Sequence, residues 1–356
     1  MKKSLLALAA LTAFAGVASA QSSVTVFGII DAAARNVKNG SVSLKTLSTD
    51  GMGSSRLGFR GVEDIGGGMR AGFWLEGSVN VDVGGGAKTA ATANGSTANG
   101  QDWQRRATVS LLGGFGELRL GRDYTPDFWN HTVFDPFGTN GVGSSTNLFN
   151  SSGSGATTVV RANNSIGYFL PAGLGGLYGQ VMVAAGEGAS GNKHIGGRFG
   201  YAAGPINVAV AYGKTEVNLT TDWKRMNVGA SWNLGFMTLM GQYINADVSG
   251  PASFGPSGRE LTNYLVGGLI PFGASTLKFS YIKSEGDGRT AAENANDSTQ
   301  FAVGYLYSLS KRTTLYTHFS RISNKSGANW TASSGGVANA VGASSTGYEF
   351  GVNHAF

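Results

Sequence analysis

Stretches of about ten residues with apolar side chains at every second position recur along this chain, joined by links that are alternately tight and long. A period of two marks a strand with two unlike faces. Ala71, Phe73 and Leu75 stand against Gly72, Trp74 and Glu76; Leu277, Phe279 and Tyr281 stand against Lys278 and Ser280. Phe301, Val303, Tyr305 and Tyr307 likewise oppose Gln300, Ala302 and Gly304, whereas "VTVFGII" near the start does not sort. The tight links are "EDIGGG", "LGGFG", "PAGLGG", "AAGP", "NLGF", "PFGA" and "SLSKR". Between them lie long polar stretches such as "GGGAKTAATANGSTANGQD" and "SGANWTASSGGVANAVGASS". Seven tight links and eight long ones make fifteen connections, hence sixteen strands.

Hydrocarbon cannot hydrogen-bond a backbone, so a sheet that crosses it must close on itself. An even number of alternating strands with short and long links is the pattern of an outer-membrane barrel. A soluble sandwich of this size needs a continuous apolar core between its sheets, yet many inward positions here are Gly, Ser, Thr, Arg or Glu. The expected fold is all-β, a 16-stranded antiparallel transmembrane β-barrel with short turns on the periplasmic side and long outer loops. Such a barrel is too wide for side chains to fill, and an aqueous channel remains. Trp74, Tyr178, Tyr243 and Tyr281 are the expected aromatic girdle at the membrane interfaces.

Both ends of the chain fit this reading. "MKKSLLALAALTAFAGVASA" has two lysines, a short apolar run and small residues before Gln21. That is a secretory signal over 1–20, with an apolar run too short to span a bilayer, and the barrel is expected over 21–356. At the other end, Tyr348, Phe350, Val352, His354 and Phe356 share one parity and Glu349, Gly351, Asn353 and Ala355 the other. This last strand is expected to pair with the first and close the barrel.

The chain has no cysteine, which excludes disulfides, thiol nucleophiles and Cys metal sites. Its 57 glycines follow no period of three, and 10% aromatics argue against disorder. The formal charge of +6 falls to +4 without Lys2 and Lys3, giving no cause to invoke nucleic acid. His131, His194, His318 and His354 lie far apart without zinc-binding spacing, and there is no GxSxG elbow. No cofactor is expected. A barrel enzyme, or a surface adhesin without an open pore, are the alternatives to a channel; a lumen with zero conductance would favour either.

Counting from the tight links locates a ring of charge. Arg56 lies eight residues before Asp64 and Arg105 eight before Gly113, both in tight links, while Glu76 lies eight after Gly68 and Arg122 eight after Gly114. At ~3.3 Å per residue and a tilt near ~45°, eight residues climb very roughly 19 Å. All four then sit near mid-barrel, where opposed charges suit a constriction. In "WQRRATVSLL" strict alternation puts Arg106 inside with Thr108 and Ser110, and Arg105 outside; a local bulge, or a position above the lipid band, would reconcile the two. Both are candidates. The strand of Arg122 is followed by about forty mostly polar residues before Asn164, a length that usually has a function.

"SSVTVFGIIDAA", "SSRLGFRGVEDIGGGMRAGFWLEG", "RRATVSLLGGFGELRLGRDY", "RANNSIGY", "YLYSLSKRTTLY" and "GVNHAF" resemble the general trimeric porins of beta-proteobacteria, from Ser22 to Phe356. The resemblance implies a homotrimer in the outer membrane of a Gram-negative bacterium, in contact with the lipid bilayer and lipopolysaccharide. It implies passive diffusion of small hydrophilic solutes, with a third loop, here 123–163, folded into the lumen. Anion-selective members carry arginines at positions matching Arg56, Arg105 and Arg161. The carboxylates opposite would be Glu76 and Asp123, and the solutes small anions such as chloride, phosphate or carboxylates. Tyr348, Phe350, Val352 and Phe356 would also form the C-terminal insertion signal of such barrels.

Overall fold

The computed structural model describes residues 23–86, 102–149, 153–250, 260–288, 294, 296–325, 327–333 and 338–356. The expected signal over 1–20 and most of the 84–102 link lie outside the described residues. The strands are β1 (Ser23–Asn39), β2 (Val42–Thr49), β3 (Arg56–Gly66), β4 (Met69–Ser78), β5 (Arg106–Gly113), β6 (Gly116–Tyr124), β7 (Arg161–Phe169) and β8 (Leu177–Ala184). There follow β9 (Lys193–Ala203), β10 (Ile206–Asn218), β11 (Thr221–Asn233), β12 (Thr238–Ser249) and β13 (Glu260–Phe272). The last are β14 (Ser275–Asp287), β15 (Ser298–Ser308), β16 (Thr313–Asn324) and β17 (Ser345–Ala355).

β1 pairs antiparallel with β2 and β3, from β3 onward each strand pairs antiparallel with the next, and β17 returns to β1 from Ile29↔Ala355 to Asn39↔Ser345. Gly28 and Phe356 exchange backbone hydrogen bonds of 3.1 and 3.0 Å at the seam. β2 and β3 both pair with β1, in one continuous line, so they are two halves of one barrel strand. The sheet is therefore a closed 16-stranded barrel.

Residues 50–55 interrupt that strand. The carboxylate of Asp31 accepts the backbone N–H groups of Gly51, Met52 and Gly53 at 3.0, 3.0 and 2.9 Å and the Asn353 amide at 2.8 Å. Tyr316 donates its hydroxyl to the same carboxylate. A Cβ at position 51 would sit 2.1 Å from that hydroxyl, so only glycine fits there.

All seven tight links fall between strands. The opposite rim differs from expectation: β1–β2 and β10–β11 are joined by only two residues each. There the strands run on as paired ribbons, and the polar sequence that resembled loop is ladder.

One parity is apolar and exposed, as a lipid-facing surface must be. It includes Val181, Phe199, Phe301, Tyr305, Tyr348, Phe350 and Val352. "VTVFGII" fails to sort because Val24 and Val26 belong to this face while Phe27, between Trp74 and Arg60, points into the lumen. Tyr264 and Tyr281 are exposed on the outer face, with Tyr243 beside Tyr264. Trp74 and Tyr178, expected in the girdle, are lumenal instead: Trp74 donates to Glu76 and Tyr178 to Asn207.

The segment between β6 and β7 carries helix α1 (Pro126–Val133), whose first turn opens with Pro126 and the acidic Asp127, both suited to a helix start. α1 packs on the inner faces of β8 to β11. Its clamp is Arg225 of β11, whose Nε donates to Asp127 Oδ2 at 2.6 Å, both side chains being fully buried. Farther on, Leu148 packs with Leu265, Ile282 and Ile322, and Phe149 with Val217 and Trp223. At 141–142 the segment reaches the far wall, where Gly141 N–H donates to Asp50 O at 3.1 Å and Val142 N–H to Glu349 Oε1 at 3.2 Å. It thus crosses the lumen, held at both sides.

Candidate functional site

Charge concentrates where β3 to β9 face α1. Glu76 Oε1 accepts Arg56 Nη1 at 3.3 Å and Arg105 Nε at 2.6 Å, while its other oxygen takes the Trp74 indole at 3.1 Å. Arg106, opposite Glu76 in the ladder, stacks on Trp74 at 4.5 Å and lies 3.9 Å from Asp123. Arg119 reaches the other oxygen of Asp123 at 2.6 Å, holds Glu117 at 2.8 Å and stacks on Phe169 at 3.9 Å.

The doubt between Arg105 and Arg106 resolves to two different roles. Arg106 begins β5 on the lumenal parity. Arg105 precedes the strand in a bend, where its backbone N–H bonds Glu76 O at 3.0 Å. The bend frees its side chain from the alternation and turns it to Glu76 and to the Tyr124 hydroxyl, 3.0 Å away. Arg161 meets the same hydroxyl at 2.6 Å, bonds Arg105 O at 2.7 Å and stacks on the Tyr124 ring at 4.2 Å. Arg105 and Arg161 form a second rank behind Tyr124.

Arg122 does not join them as expected. It pairs with Ala107, on the parity of exposed Val109, Leu118 and Leu120. Its guanidinium bonds Gln104 O and Asn163 Oδ1, tying β6 to the neighbouring chain. Height was similar, but the face was the other one.

The inner rank encloses a cavity of about 520 Å³ lined by Arg56, Arg106, Arg119 and Arg198 with Trp74 and Trp129 among the aromatic walls. A second cavity toward the turn end shares Trp74, Arg106 and Arg119 and adds Arg60. Arg119 and Arg198 escaped the counting from turns, although alternation could have found both: Leu118 and Leu120, and Phe199 and Tyr201, put the arginine beside them inside. Around this corner Arg56, Arg105, Arg106, Arg119, Arg161 and Arg198 outnumber Glu76, Glu117 and Asp123. A passing solute therefore meets net positive charge from one side.

α1, on the facing side, is held by Arg198, which bonds its Asn130, and otherwise by neutral and paired groups. Ser145 gives its hydroxyl proton to Asp135 at 2.6 Å, so His131 Nε2, 2.7 Å from Ser145 Oγ, is the donor there. Complete burial and the nearby Arg225 push the His131 imidazole down to about 3, leaving it neutral. Among the described residues no group of three His, Asp or Glu side chains could hold a metal ion.

The Gram-negative porin family model matches residues 7–327 of this chain. Outer membrane porin protein 32 of Delftia acidovorans is 37% identical over the whole of both chains. An outer membrane porin of Bordetella pertussis is 28% identical over 91% of this chain and 95% of its own. Among solved structures, an anion-selective porin from Comamonas acidovorans superposes with a TM-score of 0.82 at 33% identity, covering 94% of this chain and all of its own.

Proposed function

Because the chain belongs to the Gram-negative porin family, and so forms a channel across the outer membrane, we propose that it passes small hydrophilic solutes by diffusion with a preference for anions. The observation that carries the preference is the excess of guanidinium over carboxylate around the cavity between β3–β9 and α1. Two unit charges ~4 Å apart interact by about 1 kcal/mol in water and about 4 at an effective dielectric near 20. A tenfold bias needs only ~1.4 kcal/mol, so one or two effective arginines favour chloride, phosphate or a small carboxylate. Glu76 and Asp123 offset part of the field, giving preference and not exclusion. The segment 123–163 acts as the size filter, Arg56 and Arg106 as the lumenal filter, and Arg105 and Arg161 as its backing.

The likeness to the anion-selective porin of Comamonas acidovorans supports the same reading. The assembly we propose is a homotrimer among lipid and lipopolysaccharide, each subunit with its own pore. Residues 1–20 serve as the export signal and Tyr348, Phe350, Val352 and Phe356 as the insertion signal. This is transport, with no reaction catalysed.

Planar-bilayer reversal potentials in a potassium chloride gradient test the preference. The wild-type potential is expected on the chloride side, moving toward zero in the double variant Arg56→Gln, Arg106→Gln. The bias should also fade as salt rises, since screening shortens from ~10 Å at 0.1 M to ~3 Å at 1 M. A wild-type potential at zero or on the potassium side rejects the filter.

A further inference from the structure

Among the described residues, one guanidinium at the cavity has no carboxylate partner. Arg198 of β9 donates from Nε to Asn130 Oδ1 at 2.7 Å and from Nη2 to the Tyr178 hydroxyl at 3.1 Å, and it stacks on the Tyr178 ring at 4.7 Å. All these partners are neutral. Arg56, Arg106 and Arg119 each face Glu76 or Asp123. Arg198 is only 9% exposed, and a buried charge without a counter-charge is costly. An anion entering from the pore is the counter-charge this position lacks.

The walls beside Arg198 narrow the choice of anion. Trp74, Trp129, Phe169, Leu170 and Tyr178 line the same cavity. Trp74, Phe169 and Tyr178 each carry a guanidinium over one face. Trp129 has no such cover among the described residues, and α1 leaves its indole 39% exposed. A chloride ion or a short aliphatic acid would engage Arg198 and leave this apolar lining in water. A ring bearing a carboxylate uses both, since apolar burial and offset or edge-to-face ring contacts add to the charge. The volume of about 520 Å³ is within the ~300–1,000 Å³ usual for small-ligand sites.

We propose that this cavity is a subsite for monoaromatic carboxylates, Arg198 receiving the carboxylate and Trp129, Phe169 and Leu170 the ring. The proposal rests on the anion-channel reading above and names a solute class for it. Solutes of this class pause at the subsite and cross by exchange along the arginines toward Arg119 and Arg60, which line the adjoining cavity.

The test is block of chloride current through single channels by sodium benzoate and by sodium acetate at equal ionic strength. Benzoate is expected to half-block wild type at a concentration about tenfold below acetate. Arg198→Gln and, separately, Trp129→Leu are expected to narrow that ratio to under threefold. Trp129→Leu alters an exposed side chain, so its result stands even if Arg198→Gln loosens α1. A wild-type ratio near one, or a tenfold ratio that survives both substitutions, overturns the subsite. The reversal potential is read in the same membranes. A chloride-side potential with a ratio near one rejects the subsite alone, whereas a potassium-side potential rejects the channel preference and the subsite with it.

Discussion

Glu76 sets the strength of the basic corner because a single oxygen serves two guanidiniums, Arg56 and Arg105. Glu76→Gln keeps the shape and removes the charge, so the chloride preference is expected to rise severalfold in reversal-potential measurements. An unchanged potential in the folded variant would mean that Arg56 and Arg105 do not act on the permeating ion. Arg56, Arg105 and Glu76 were reachable from the sequence because distance from a turn sets height in a barrel strand, whereas Arg106 came from alternation and Asp123 from the resemblance to porins. Height carries no information about side: Arg122 and Arg119 differ little in height and face opposite ways. Parity carries side but fails at bends, which is how Arg105 turns to Glu76. Arg198 was open to parity alone, beside Phe199 and Tyr201, but sits on a strand away from the others in sequence.

At the scale of elements, α1 and the segment around it are fixed by contacts scattered over residues 50–54, β8–β11 and β17. The length and polarity of the segment were legible. Its path was not, because each anchor, Arg225 to Asp127 or Glu349 to Val142, joins residues far apart in the chain. The neutral His131 makes the docking pH-dependent. Its docked pKa of about 3 lies below the ~6.5 of a free imidazole, so the undocked segment binds more protons between those values. Docking is at full strength above ~6.5 and weakens as pH falls toward 3. Single-channel recordings at pH 4 are expected to be noisier than at pH 7. His131→Gln, which retains a donor toward Ser145, should remove most of the difference; equal noise at both pH values in wild type would refute the linkage.

For the whole molecule the seam between β1 and β17 decides assembly. The Phe356 ring lies where a Cβ on Gly28 would be, 2.3 Å from it, so the terminal aromatic covers the first strand's glycine. Deleting Phe356 removes that cover and its backbone pair with Gly28. The yield of folded barrel in the outer membrane is expected to fall several-fold, with unfolded chain accumulating in the periplasm; normal yield would count against the terminal strand as the insertion signal. The alternation of Tyr348, Phe350 and Val352 made this strand legible, and its partner followed from closure. The same seam has a meaning in time. Arg35 and Glu349, paired across it, are 314 positions apart, so the first strand to leave the ribosome waits for the last before its outer edge is filled. A sheet with such distant pairings forms slowly, and its open edges invite the wrong neighbours meanwhile. Until the final residues arrive those edges stay open, so a chain cut short before β17 has no partner to close its first strand.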